Sequence, residues 1–205
     1  MIRLQQRVVV ALLSTGFLLS VGLPTLATHG SFDGLVPTSN YPFSACSTST
    51  PVVCQTDNTE LTVFRGSTLS AAASNNITTA LNSWYDITDL NVQYGVGYTT
   101  NGSPTDVAYG ISGSVPAGNV AYYYCAIGAG GWKCDQGIVN FIDNSWATKG
   151  IACHETGHAV GLVHGQYGVP SLSNEDTRLE CMRVPTPDIG NGDWNRHQIN
   201  DAYPN

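Results

Sequence analysis

His154-Glu155-Thr156-Gly157-His158-Ala159-Val160-Gly161-Leu162-Val163-His164 is the stretch on which the reading of this chain turns. On an α-helix, positions four apart differ by about 40° in azimuth and about 6 Å in rise, so His154 and His158 present two imidazoles on one face. Such a pair can share one zinc ion, and Glu155, one step round from His154, lies beside the metal, close enough to hold a water without being a ligand. A continuing helix would carry His164 roughly 9 Å further along the axis, against a zinc to nitrogen distance of about 2.0–2.1 Å. The helix must therefore stop. Gly161 stands where the stop is needed, because glycine takes the left-handed conformation that ends helices at little cost. With the chain turned back there, His164 closes a three-histidine site with one position open.

Outward from this stretch, hydrophobic periodicity predicts the elements that frame it. Upstream, residues 60–65 alternate as a strand does. Leu69, Ala73, Ile77, Ala80, Leu81 and Trp84 fall at helical spacings over residues 67 to about 86, with Ser67, Thr68 or Ser70 available as cap. Further strands are expected over residues 90–94, 106–111, 119–125 and 137–142. Tyr122-Tyr123-Tyr124 supports two readings, ordinary strand packing or an edge strand against which an extended peptide lies. Ser145-Trp146-Ala147-Thr148 leads into the histidine helix, which would bury Ile151, Ala152, Ala159, Val160 and Leu162. Downstream of His164 the chain is irregular as far as Cys181-Met182-Arg183, and residues 193–203 read as a closing helix.

The ends and the composition set the setting. Arg3 and Arg7 precede an apolar run from residue 8 to about 23, followed by Pro24-Thr25-Leu26-Ala27, so residues 1–27 read as a secretory signal peptide. Ser14, Thr15, Gly16, Ser20, Gly22 and Pro24 interrupt the run and disfavour an uncleaved anchor, and no later stretch is apolar enough to span a bilayer. The remainder of the 205 residues suits one domain with a sizeable core. Loss of Arg3 and Arg7 takes the formal charge from −7 to −9. That acidity argues against nucleic acid or, after signal removal, anionic membrane as a partner. Six cysteines in an exported chain imply disulfides, with fifteen pairings open. Cys46 with Cys54 would close a short loop and Cys125 with Cys134 would tie a turn containing Gly128-Ala129-Gly130-Gly131, leaving Cys153 and Cys181. No C-x-x-C pair supports zinc thiolates. His29 and His197 stand in no motif. Asn76-Ile77-Thr78 and Asn101-Gly102-Ser103 match the glycosylation pattern.

At every fixed position the histidine stretch resembles the H-E-x-x-H-x-x-G-x-x-H signature of the metzincin zinc endopeptidases. Met182, eighteen residues after His164, is placed like the methionine of their Met-turn. Residues 80–88, 137–142 and 195–203 resemble the first helix, the strand before the zinc helix and the last helix of matrixin-like members, so the likeness covers roughly residues 60–205. It implies an α+β fold: a mixed, mostly parallel twisted sheet with two long helices, a zinc-binding helix, a Met-turn and a C-terminal helix. It also implies one catalytic zinc on His154, His158 and His164, with Glu155 as general base and Met182 beneath the metal. On this basis residues 28–59 form an N-terminal segment, a candidate short propeptide, and residues 60–205 the catalytic domain. The family brings the zinc helix close to the Met-turn, so a Cys153–Cys181 disulfide is expected, with Cys46–Cys54 and Cys125–Cys134 as the other pairs.

Such a protein would be a secreted, extracellular monomer that hydrolyses peptides or proteins. Glu155 would take a proton from the attacking water and pass it to the leaving amine. Three features depart from well-known relatives. Arg183 and Val184 follow Met182, so the tyrosine that serves as a fifth ligand in astacin-like and serralysin-like members is missing. No P-R-C-G-V switch sequence occurs, and without a clear acidic loop structural calcium stays open. The competing function is a zinc-bearing binding or toxin-like protein, which would not need Glu155. Substrate preference would be set by the segment between His164 and Met182 and by residues 184–190, near Arg178 and Arg183.

Overall fold

A computed structural model describes residues 32–48, 52–100 and 104–204. The signal at residues 1–27, His29 and the pattern Asn101-Gly102-Ser103 lie outside the described residues. Six strands form one sheet: β1 (Gln55–Thr56), β2 (Glu60–Arg65), β3 (Asn91–Tyr94), β4 (Val107–Ile111), β5 (Ala121–Gly130) and β6 (Lys133–Phe141). The order is β1-β6-β4-β2-β3, all parallel, with β5 antiparallel on the other edge of β6. Three helices complete the α+β architecture: α1 (Ala71–Trp84), α2 (Lys149–Ala159) and α3 (Asp193–Ala202).

Parallel neighbours need long crossovers, and α1 provides the one between β2 and β3. It begins at Ala71 rather than residue 67, because Ser70, extended at φ −65° and ψ 162°, accepts the Ala73 N–H and fixes the start. Ala73, Ile77, Ala80 and Leu81 are its buried face, set against the buried alternation of Leu61 and Val63 on β2. Tyr109 and Tyr85 tie sheet and helices together: Tyr109 and Thr156 hydroxyls lie 2.7 Å apart, and the Tyr85 hydroxyl donates to the Cys153 carbonyl.

The β5–β6 pair is longer than its periodicity suggests. The strands run on through the glycines to Gly130 and resume at Lys133, so the reversal is confined to Gly131-Trp132. Positive φ at Gly130 (95°) and Gly131 (58°) allows this tight turn, and bulges after Cys125 shift the register. The Cys125–Cys134 disulfide thus crosses a hairpin near its tip.

The N-terminal segment is irregular apart from β1, yet it is built into the body. Asp33 and Leu35 form bridges to Val169 and Leu162. The Val36 N–H donates to Gly161 O at 2.9 Å, and the Val163 N–H to Gly34 O at 2.8 Å. Val36, Val52 and Cys54 are buried in the same core as the sheet. Among the described residues no helix is long and apolar enough to cross a membrane.

Candidate metal centre

Helix α2 starts where the Thr148 side chain accepts the Ile151 N–H, and it ends after Ala159. Its end is a six-residue closing pattern: Leu162 N–H donates to Gly157 O at 2.8 Å and Gly161 N–H to His158 O at 3.3 Å. This closure needs a left-handed residue at position 161, and Gly161 has φ 101°. A Cβ there would also lie 2.7 Å from the Gln55 Cγ, so both the backbone and the packing require glycine. The turn sends the chain back beneath residues 34–36 and delivers His164 to the two helix histidines.

The three rings converge, with centroids 4.8 Å (His154–His158), 5.1 Å (His154–His164) and 4.9 Å (His158–His164) apart. Nε2 of His154 and Nε2 of His164 are 3.1 Å apart, and one nitrogen from each ring falls within 4.8 Å of the others. Two nitrogens bound tetrahedrally to one zinc at about 2.0–2.1 Å are separated by about 3.3 Å, so the spacing suits that ion.

The opposite nitrogens are anchored. His154 Nδ1 lies 2.8 Å from the Cys181 carbonyl, with the Thr186 hydroxyl at 3.3 Å, and His158 Nδ1 lies 2.8 Å from the Leu162 carbonyl. A carbonyl only accepts, so Nδ1 carries the proton and Nε2 offers its lone pair to the centre. Burial, with the neighbouring His164 adding to it, pushes His154 down to about 3. Burial and the two flanking histidines hold His158 well below the usual range, and burial also lowers His164. All three rings are therefore neutral at ordinary pH, the form a metal requires.

Glu155 follows His154 into the same cleft. Burial pushes its carboxyl up to about 8, opposed by a hydrogen bond from the Tyr123 backbone N–H, and its Oε2 has no partner among the described residues. That N–H comes from an open edge. Val120 O accepts from Ile142 N at 2.9 Å, which makes Tyr122–Asn140 the next hydrogen-bonded pair and turns the backbone groups of Ala121 and Tyr123 away from β6. The tyrosine run shows the strand packing, and β5 lies at the edge of the sheet. The Tyr123 ring is buried over Gly137, where a Cβ would come within 2.4 Å of it. Tyr122 and Tyr124 stack at 5.5 Å on the opposite face, and on the strand edge turned away from β6 the Tyr123 N–H is taken by Glu155.

Met182 is buried beneath α2, its Sδ 2.2 Å from where a Cβ on Gly157 would stand. The Cys153–Cys181 bond fixes this contact, and the Asn191 Oδ1 lies 3.5 Å and 3.2 Å from the two sulfurs. Glu180, at φ 54° and ψ −120°, holds the turn from the other side. Its carboxylate accepts the Asn195 N–H at 3.3 Å and bonds the Gly192 and Trp194 N–H groups, occupying the capping place that Gly192 has no side chain to fill. The third disulfide, Cys46–Cys54, closes a loop in the N-terminal segment. Cys46, Cys125 and Cys134 also cluster, but each is oxidised and none is a thiolate.

A cleft of about 710 Å³ runs along β5 past His154, Glu155, His158 and His164. No protein-family profile matches the chain, and no curated protein matches it. One solved structure it resembles is high choriolytic enzyme 1 (HCE-1), a hatching enzyme zinc-protease from Oryzias latipes (Medaka fish), at 18% identity and a TM-score of 0.34. The match covers 59% of this chain and 54% of that one, so the chain spans about half the length of that protein. At that level of likeness the functional reading rests on the site itself.

The cleft draws Gln166, Tyr167, Val184, Pro185 and Thr186 from the segments expected to wall it. Arg178 is instead paired with Asp176 at 2.7 Å, and His197 lies on α3 beside Asp201 in a separate groove. The Asn76 amide donates to Ala147 O at 3.0 Å. Sequence reasoning missed the carbonyls of Leu162 and Cys181, since backbone atoms carry no residue signature. It also missed Glu180, Tyr85, Asn191 and Thr186, each of which acts through distant partners.

Proposed function

We propose that this chain is a secreted zinc endopeptidase of metzincin type, matrixin-like in having no tyrosine ligand after the methionine. The observation that carries the reading is the convergence of three neutral imidazoles, two anchored at Nδ1 by carbonyls, on a point beside a buried, half-satisfied Glu155 carboxylate at an open strand edge. His154, His158 and His164 would hold zinc, which supplies Lewis acidity toward water and a scissile carbonyl.

Glu155 holds and moves the proton. Burial raises its carboxyl to about 8, and a cation beside it would favour the carboxylate, the form that accepts a proton from water. It then returns that proton to the leaving amine. The Ala121 N–H and C=O and the Tyr123 C=O, turned away from β6, offer an extended peptide main-chain hydrogen bonds, and the Tyr123 N–H, bound to Glu155, marks where the scissile bond would lie. Met182, tied through Cys153–Cys181, supports the histidine helix from below. Three disulfides fit an oxidising, extracellular setting. The binding or toxin-like alternative leaves the buried Glu155 without a task.

A quenched-peptide or casein assay with and without a chelator tests this, alongside Glu155→Ala. Chelator-sensitive cleavage that falls by about 10²-fold or more in the variant is expected. Wild-type cleavage no greater than the variant's would sink the reading.

A further inference from the structure

The N-terminal segment reaches further than its packing against the turn at Gly161. It supplies Tyr41, Phe43, Val52 and Val53 to the lining of the cleft that holds Glu155, where they meet Tyr167 from the chain beyond His164. Tyr41 is the fixed centre of this group. Its hydroxyl accepts the Val53 N–H at 2.7 Å, and its ring meets Phe43 at 5.4 Å, Tyr167 at 5.4 Å and Trp132 at 5.8 Å. Phe43 is 42% exposed, whereas Tyr41 and Val52 are buried. Its ring therefore packs on Tyr41 and leaves apolar surface open to the cleft.

The position of this cluster along β5 follows from the register. Trp132 sits in the turn at the hairpin tip, and the segment is fastened there by Cys46 N–H to Gly131 O and Gln55 N–H to Trp132 O, both at 2.8 Å. Trp146 lies at the opposite end, just beyond the point where Val120 O accepts from Ile142 N, and it too lines the cleft at 43% exposure. Tyr123, hydrogen-bonded to Glu155, stands between the two. A peptide laid along β5 thus meets the aromatic wall of the N-terminal segment on one side of Glu155 and Trp146 on the other.

We propose that the N-terminal segment stays in the working protein and that its residues 41–43 and 52–53 build one end of the cleft into a subsite for a bulky apolar, preferentially aromatic, substrate side chain, with Phe43 as its selective wall. This rests on the endopeptidase reading. The segment is suited to the task because its own disulfide and β1 hold it in shape before substrate arrives. It also braces Gly161, so its removal would disturb the delivery of His164 as well as the subsite.

The test uses the full secreted protein. Intact mass and N-terminal sequencing of the active species should place its start before Phe32, and a start beyond Thr56 overturns the proposal. A peptide library is then digested by wild type, Phe43→Ala, Phe43→Leu and Trp146→Ala. Wild type should prefer aromatic over small side chains at one position. Phe43→Ala should lower that ratio of kcat/KM about tenfold or more, Phe43→Leu should lower it less, and Trp146→Ala should act only across the scissile bond. An active wild type whose ratio is unmoved by Phe43→Ala overturns this inference alone. A zinc-loaded wild type that cleaves nothing in the library overturns the endopeptidase reading and the subsite with it.

Discussion

Two glycines in α2 separate packing from helix propensity. Alanine in place of glycine in a helix interior is favoured by about 1 kcal/mol, and inserting a methyl group into a filled core costs typically about 1–3 kcal/mol. At Gly157 the added Cβ would stand 2.2 Å from Met182 Sδ and 3.1 Å from its Cε, both at the far end of a side chain with three rotatable bonds. Propensity and clash then nearly offset, and Gly157→Ala should cost no more than about 1 kcal/mol. At Gly150 the Cβ would meet Pro187 O at 2.2 Å, Asp188 Cα at 2.8 Å and Pro187 C at 2.9 Å, all backbone, beside a Gly150 N–H bond to Asp188 Oδ1 at 3.0 Å. Nothing there can swing aside, and the first helical turn gains least from propensity. Gly150→Ala should therefore cost about 2–3 kcal/mol. Urea unfolding of zinc-loaded protein at equal m-value reads both. Because residues 184–186 line the cleft just before Pro187, only Gly150→Ala should also raise KM. A Gly150→Ala variant as stable as wild type, or less damaged than Gly157→Ala, would refute the argument.

Glu180→Ala removes the carboxylate that caps α3 while keeping the φ of 54°, and should cost about 1–2 kcal/mol in urea unfolding. Glu180→Gly, free of that backbone penalty, should lose roughly 1 kcal/mol less. Replacing Cys153 and Cys181 together by alanine opens a link of sequence separation 28 and should cost about 3–4 kcal/mol by thermal melting, with weaker zinc retention. Asp106 gives a pH dependence. Burial raises its carboxyl to about 6, against the hydroxyl and N–H of Thr62 that favour the charged form. The folded state thus holds the proton more tightly than the unfolded chain, and stability falls as pH rises from about 4 through about 6, by about 1–3 kcal/mol. Asp106→Asn should remove that slope, read as the difference between variant and wild type; an unchanged slope would exclude Asp106 as its source.

Much of the frame was legible because its causes are local. The four-residue histidine spacing, the glycine needed for a left-handed stop and the alternation of residues 60–65 each bind sequence directly to φ/ψ or to a buried face. The 119–125 and 137–142 strands were legible in place but not in length, because glycines that read as a turn were absorbed into a bulged hairpin. What stayed hidden depends on distance in sequence. The partners of His154 and Glu155 are the Cys181 carbonyl and the Tyr123 N–H, which every residue type possesses. Residues 28–59 read as loop because they follow no period, yet Val36, Val52 and Cys54 are core. A segment that packs through isolated side chains and backbone bridges leaves no periodic trace.

On the proposed reading, the same arrangement would couple metal binding to folding. Each of the three imidazoles is held from a different part of the chain: His154 through the Cys181 carbonyl, His158 through the Leu162 carbonyl, and His164 by a turn whose Gly161 carbonyl is taken by Val36. Neutral rings that bring one nitrogen each within 4.8 Å of the others offer a cation a preformed set of donors. A ligand that binds only the folded state stabilises it by mass action, about 4 kcal/mol at a thousandfold excess over Kd. The disulfide at Cys153–Cys181, the cap from Glu180 and the N-terminal segment then have a common physical role. They brace the elements that carry the three imidazoles: the disulfide at Cys153, Glu180 at the Cys181-Met182 turn, and the N-terminal segment at Gly161.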